Sequence, residues 1–154
     1  MAFKMNNLQL FRLAQQLPLG TRLFSWVVSM VAPYFRSIQP HIEQLEPNYA
    51  RVALKNRRTV QNHLKTVHAI AMCNMAELAG GMMTDVSIPK GSRWIPMGMT
   101  VKYLKKAKTD LVAEAKMPAV DWSTVKEVIV PVEIRDTQQQ LVFTAEITMN
   151  IKHK

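Results

Sequence analysis

Glu77 is a carboxylate in an unusual place. Between Thr66 and Met83 almost every residue is apolar or small, and only His68, Asn74 and Glu77 are strongly polar. A helix that is apolar all round is a buried helix, and burying a charge is costly unless the charge is paired or neutralised. In that setting Glu77 either serves as a general base or nucleophile, or pairs with a cation and caps backbone groups nearby. His68 stands nine positions earlier, which at ~100° and ~1.5 Å per residue means the opposite helix face and about 13 Å along the axis. The two cannot meet within one straight helix. A joint site needs a second copy whose helix runs the other way, so homodimerisation is part of the catalytic reading. Taken alone, a residue such as His68 is more often a structural histidine near a helix start than a catalytic one. The first backbone N–H groups of a helix have no intrahelical partner and carry the positive end of its dipole. With His68 at the entrance, the amides of Ala69 and Ile70 become the candidates to hold an oxyanion. Asn62, just upstream, could position substrate or water through its amide, or could bond only to its own loop.

These residues need elements to hold them. Residues 1–40 read as a helical cover: Leu8, Phe11, Leu13 and Leu17 suit one short helix, and Leu23, Phe24, Val27, Val28 and Val31 suit a second after the Pro18-Leu19-Gly20 break. Pro40 and Pro47 punctuate a loop, after which Ala50, Val52 and Leu54 alternate as a half-buried strand. The central helix is expected over residues 66–83. Four alternating runs follow, Ile95 to Leu104, Leu111 to Met117, Glu127 to Arg135 and Leu141 to Ile151, with Asp136 to Gln139 as a hairpin connection and Pro131 at an edge or bulge. The connections are too short for crossovers, so the strands are antiparallel. The expectation is one α+β domain over residues 1–154, a long helix wrapped by a five-stranded sheet.

Composition removes several alternatives. A chain of 154 residues with 48% hydrophobic and 20% charged residues has the make-up of a single globular domain. Its net charge of +9 admits an anionic partner without choosing among nucleic acid, membrane surface and phosphorylated small molecule. The apolar stretch Leu23 to Phe35 is about a dozen residues, short of the ~20 that a spanning helix needs. Lys4 and Arg12 are followed by Gln15, Gln16 and the Pro18 break rather than by the apolar core of a cleaved leader, so a cytoplasmic protein is expected. Cys73 stands alone, and His41, His63, His68 and His153 contain no pair at i, i+4, so no metal site is expected. Gly80-Gly81 ends a helix rather than opening one, which removes a phosphate-binding loop, and Gly-x-Ser-x-Gly is absent. The aromatics form no stacking row among the basic residues, so nucleic acid is not the expected partner.

The run from Asn62 through His68-Ala69-Ile70 to Glu77 resembles the strand-to-helix region of hotdog-fold acyl-CoA thioesterases of the phenylacetyl-CoA thioesterase type. Ala32-Pro33-Tyr34-Phe35, Asn62-His63-Leu64, Ala76-Glu77-Leu78-Ala79-Gly80-Gly81 and Met99-Thr100-Val101-Lys102-Tyr103-Leu104 are similar, over nearly the full length, to an uncharacterised hotdog family of thioesterase type. The resemblance implies a hotdog fold and a homodimer, with tetramer formation left open, hydrolysing an acyl-CoA or acyl-carrier-protein thioester. It also implies a shared site: Glu77 from one subunit activates water or attacks the carbonyl, while Asn62, His68 and the Ala69 amide come from the other. No cofactor is implied beyond coenzyme A as part of the substrate. Arg57, Arg58, Lys65, Arg93, Lys102, Lys105 and Lys106 become candidates for its phosphates, about two of the seven being expected to matter. Met72, Met75, Met82, Met83, Met97 and Met99 could line an acyl pocket or simply pack the core. The family's His-Gly-Gly is His68-Ala69-Ile70 here, and Pro96 stands near the position of an auxiliary Ser, which leaves that hydroxyl unassigned. The rival readings are a non-catalytic acyl-thioester or lipid-binding module and a hydroxyacyl dehydratase of the same fold.

Overall fold

The protein was analysed as a computed structural model, which describes residues 6–117 and 119–153. Residues 1–5 of the expected helical cover, Lys4 among them, lie outside the described residues, as do Pro118 and Lys154.

The N-terminal cover is two helices, α1 (Asn7–Gln15) and α2 (Gly20–Val31), followed by a 3-10 turn at Pro33–Ser37. Asn6 starts α1 with a reciprocal cap: its side chain accepts the Gln9 N–H at 2.8 Å, and the Gln9 side chain accepts the Asn6 N–H at 3.1 Å. Between the helices the backbone turns at Leu19, in the left-handed region with φ 58°. Gly20 serves a different need, since a Cβ there would overlap the Ala14 carbonyl. Phe11 and Phe24 lock the pair edge-to-face, with ring centroids 5.2 Å apart.

Six strands, not five, form the sheet: β1 (His41–Glu46), β2 (Tyr49–Leu54), β3 (Arg93–Tyr103), β4 (Leu111–Lys116), β5 (Glu127–Asp136) and β6 (Leu141–Lys152). Their order is β1-β2-β4-β5-β6-β3, antiparallel throughout. The additional strand is β1, expected as loop. Its two inward residues, Ile42 and Leu45, are three apart because the pairing with β2 is interrupted by a bulge at Glu43, and that spacing hides the period of two. Pro47 and Asn48, the latter at φ 66°, make the tight connection to β2. Pro131 falls just beyond the last β4 pair, Ala115 with Val132, so only β6 flanks it. The β5 to β6 turn is organised without glycine: Asp136 Oδ1 accepts the N–H groups of Gln138 and Gln140, both at 2.9 Å.

The central helix, α3, spans Ala69–Ser87 rather than residues 66–83. It begins later because Thr66 and Val67 are used in the preceding loop, where Val67 N–H donates to the Ala107 carbonyl at 2.8 Å. Met75, Leu78, Ala79 and Met83 are buried against the sheet with Ile147, Met149 and Val132; full burial of a large apolar side chain stabilises by roughly 1.5–3 kcal/mol. Small residues set the spacing, since a Cβ on Gly80 would stand 3.0 Å from Ile147 Cδ1. Among the described residues no helix is long and apolar enough to cross a membrane.

The two outer strands are finished differently. Along β1, α2 packs on the edge, and Ser25 Oγ accepts the Ile42 N–H at 2.8 Å. Along β3, no strand or helix pairs with the outer side among the described residues, and Ile95, Met97, Met99 and Tyr103 are exposed. Pro96 and a bulge at Met97 break the regularity of its first half, leaving Met99 to Tyr103 as the regular open edge.

Candidate active site

The start of α3 is held by a loop that closes on itself. Gln61 bridges Val67, Asn62 N–H donates to the Thr66 carbonyl at 2.9 Å, and Lys65 N–H donates to the Asn62 carbonyl at 3.0 Å, with Lys65 at φ 60°. The Asn62 side chain is committed to the same loop. Its Oδ1 accepts the N–H groups of Leu64 at 2.9 Å and Thr66 at 3.2 Å, and its Nδ2 donates to Thr66 Oγ1 at 2.9 Å. One Nδ2 hydrogen is left for anything else. His68 is the N-cap of α3: its backbone is extended, and its Nδ1 accepts the Ile70 N–H at 3.0 Å. That bond takes Ile70 out of the expected pair of oxyanion donors. The Ala69 N–H has no acceptor among the described residues and stays available.

Asn62 and Ala69 share a hollow of about 360 Å³ with Met72, Tyr103, Lys105 and Lys106. Two of the seven basic candidates therefore meet the helix start. Lys105 and Lys106 are exposed, and Lys105 Nζ donates to Gln140 Oε1 at 2.9 Å. Arg57 is occupied elsewhere, its guanidinium donating to the Ile38 carbonyl at 2.7 Å and to Thr59 Oγ1 at 2.8 Å. Arg58, Lys65, Arg93 and Lys102 do not line the hollow. Tyr103 is a hydroxyl that sequence reasoning missed. It sits 3.3 Å from Cys73 Sγ, and that hydrogen bond, with burial second, raises its hydroxyl above the ordinary tyrosine range. Its place at the end of an alternating run on the edge strand was the available signal.

Glu77 is half-buried, not enclosed as the all-apolar helix suggested, because the cover formed by α1 and α2 leaves a groove above it. The groove measures about 540 Å³ and is walled by side chains such as Leu10, Leu13, Val27, Phe35, Met82 and Trp94. Among the described residues Glu77, Asp85 and Asn7 bring polar side chains to it. Asp85 is engaged at both oxygens: Oδ2 accepts from Asn7 Nδ2 at 2.7 Å and Oδ1 from Trp94 Nε1 at 3.1 Å. The Glu77 carboxylate has no hydrogen-bond or ion-pair partner among the described residues. One turn before it, Asn74 reaches Tyr34 O at 3.4 Å and Ser37 Oγ at 3.3 Å through Nδ2, while its buried Oδ1 has no partner among the described residues. Glu77 and the helix-start hollow thus belong to different surroundings, as their spacing required. Of the six methionines named as possible pocket lining, Met82 lines the groove and Met72 the hollow; Met75 and Met83 are core.

The profile of a family described as "Domain of unknown function (DUF4442)" matches residues 20–151. No curated protein matches the chain. Among solved structures, the one described as "Crystal Structure of genomics APC5556" superposes with a TM-score of 0.86 at 47% identity, covering 96% of this chain and 99% of that one. PA5026 from Pseudomonas aeruginosa, a protein of unknown function described as a probable thioesterase, gives 0.73 at 21% identity over 88% and 96% of the two chains. The E. coli PaaI protein from the phenylacetic acid degradation operon gives 0.68 at 16% identity over 84% and 94%. These likenesses establish the fold, a hotdog domain in which a long helix is wrapped by an antiparallel sheet.

Proposed function

The chain belongs to the DUF4442 family, and on that premise we propose that it is a thioesterase hydrolysing an acyl-CoA or acyl-carrier-protein thioester at two sites shared between the copies of a homodimer. The observation that carries this reading is Glu77: a half-buried carboxylate with no hydrogen-bond or ion-pair partner among the described residues, opening into a largely apolar groove. An apolar pocket with few convergent polar groups suits an acyl chain, and a partner-free carboxylate beside it suits a base. The other half of the chemistry lies at the helix start, where the free Ala69 N–H carries the positive end of the α3 dipole and Lys105 and Lys106 can meet phosphates. The open, apolar β3 edge supports the pairing that brings one copy's Glu77 to the other copy's helix start.

In the reaction, Glu77 takes a proton from water as the water oxygen bonds to the thioester carbonyl carbon. The carbonyl electron pair moves to oxygen and is held by the Ala69 N–H of the partner subunit. Collapse of this intermediate re-forms the carbonyl, breaks the C–S bond and expels a thiolate, which receives the proton from Glu77. Asn62 and His68 hold the loop and the helix start that present Ala69; they position rather than react.

A second reading is favoured by one observation. With the Ile70 amide consumed by His68, a single backbone donor remains for the oxyanion, and a site with one donor fits a module that binds acyl thioesters without turning them over. The test is release of free coenzyme A from a panel of short, long and aryl acyl-CoAs, for wild type and Glu77→Gln, both shown to be folded. The hydrolase reading expects turnover that collapses in Glu77→Gln; saturable binding without turnover would select the binding module, and hydration of an enoyl substrate would select the dehydratase.

A further inference from the structure

Resting on the thioesterase reading of Glu77, the geometry points to a substrate class: a straight acyl chain of medium length, about ten carbons, gauged by the groove beneath α1 and α2.

The groove has two fastened ends. At one, Asn74 ties α3 to the 3-10 turn that follows α2, through Tyr34 and Ser37. At the other, Asp85 clasps both Asn7 at the start of α1 and Trp94 on β3. Glu77 lies one turn inside the first end. From Glu77 to Asp85 is eight residues, or about 12 Å along the helix axis. An extended chain of single bonds advances about 1.2 Å per bond, as an extended peptide does over its three bonds per residue. About ten chain atoms therefore separate the carboxylate from the clasp.

The clasp is a hard stop. Both oxygens of Asp85 are engaged in hydrogen bonds to a charged acceptor, and a methyl terminus pushed among them would have to break bonds that it cannot replace. Gly81 helps to close the wall, because a Cβ there would stand 2.6 Å from the Trp94 ring; its absence lets the indole lie against α3. Among the described residues the lining has no Lys or Arg, while Glu77 and Asp85 are both acidic, so these walls disfavour a free fatty-acid carboxylate and accept the uncharged chain of a thioester.

The experiment measures coenzyme A release from straight-chain acyl-CoAs of about six to about sixteen carbons, and in parallel the affinity for S-alkyl-coenzyme A thioethers of the same lengths, which cannot be hydrolysed. Each added methylene should raise kcat/KM and affinity about four-fold until the clasp is reached, after which both flatten or fall. Leu10→Trp fills the groove one turn from Asn7, and should move the optimum to shorter chains. Asp85→Ala opens the far end and should move it to longer ones; should that variant fail to fold, Leu10→Trp with its circular dichroism spectrum retained carries the test. An optimum at short or aryl groups, or one that Leu10→Trp leaves in place, would overturn the gauge. Thioether binding with the expected length profile but no release from any thioester would keep the gauge and remove the hydrolase reading, whereas release with no length dependence would do the reverse.

Discussion

The middle and the start of α3 are made for different company. Around Glu77 the walls are leucine, valine, phenylalanine and tryptophan contributed by α1, α2 and β3, and the one other carboxylate is already bonded twice. Around Ala69 the walls are an asparagine turn, a tyrosine hydroxyl and two exposed lysines, beneath a free backbone N–H. One region suits a greasy chain and a proton acceptor; the other suits a negative oxygen and phosphates. In a thioester the acyl chain and the oxygen that becomes negative meet at one carbonyl carbon, yet one helix holds its two regions about 12 Å apart on different faces. On the proposed reading neither region is a site alone, and the edge of the sheet, where a second copy would bring them together, belongs to the chemistry.

The comparison breaks most visibly if each region loses its one essential group. Glu77→Gln should lower kcat on the order of a hundred- to ten-thousand-fold, and Ala69→Pro about a hundred- to a thousand-fold. Proline suits this test, because the first helical position tolerates it and His68 already has the extended backbone, ψ 141°, that a residue before proline requires. Steady-state kinetics on both variants, with melting temperatures close to wild type, check the pair. A smaller effect is expected from Met99→Glu on the open edge of β3, where Met99 is 36% exposed. A charge there should shift the mass in solution from dimer to monomer and reduce activity at least about ten-fold, because a charge buried unpaired opposes association; light scattering and turnover should fall together.

Asn62→Ala should cost about 1–2 kcal/mol by leaving the Leu64 and Thr66 N–H groups without their acceptor, and lower kcat on the order of ten-fold by loosening the helix start. Asn62→Asp keeps the acceptor but not the Nδ2 donor; recovery of both stability and rate would mark Asn62 as positioning only. His68→Ala should show the least, about 1 kcal/mol in denaturant unfolding. His68→Asn, also a good N-cap, should restore stability. If it does so while activity stays low, His68 touches the substrate and the division of labour drawn here must be redrawn.

Much of this arrangement could be read before any coordinates. The strand from Leu141 to Ile151 was clear because its apolar residues alternate without interruption, and Phe143, Ala145, Ile147, Met149 and Ile151 are indeed buried. The first strand was hidden for the opposite reason: a bulge separates Ile42 from Leu45 by three residues, and flanking prolines imitate a loop. Helical arithmetic placed His68 and Glu77 on different faces, but it could not tell that His68 Nδ1 would take the Ile70 amide, since capping depends on a side-chain rotamer. Nor could it foresee the groove, whose closed end joins Asn7 to Asp85 across 78 positions of sequence. Contacts of that range are set by packing, not by local pattern.

The central claim, that the two regions of α3 act on one substrate only across two copies of the chain, is tested most directly by mixing. Glu77→Gln and Ala69→Pro are each expected to be inactive, and a dimer made of one copy of each holds one intact site. After subunit exchange at equal concentrations, verified by mass spectrometry, activity should return to about one quarter of wild type, since half of the dimers are mixed and each carries one good site in two. Verified exchange with no recovery would contradict a shared site and place Glu77 and Ala69 in separate roles.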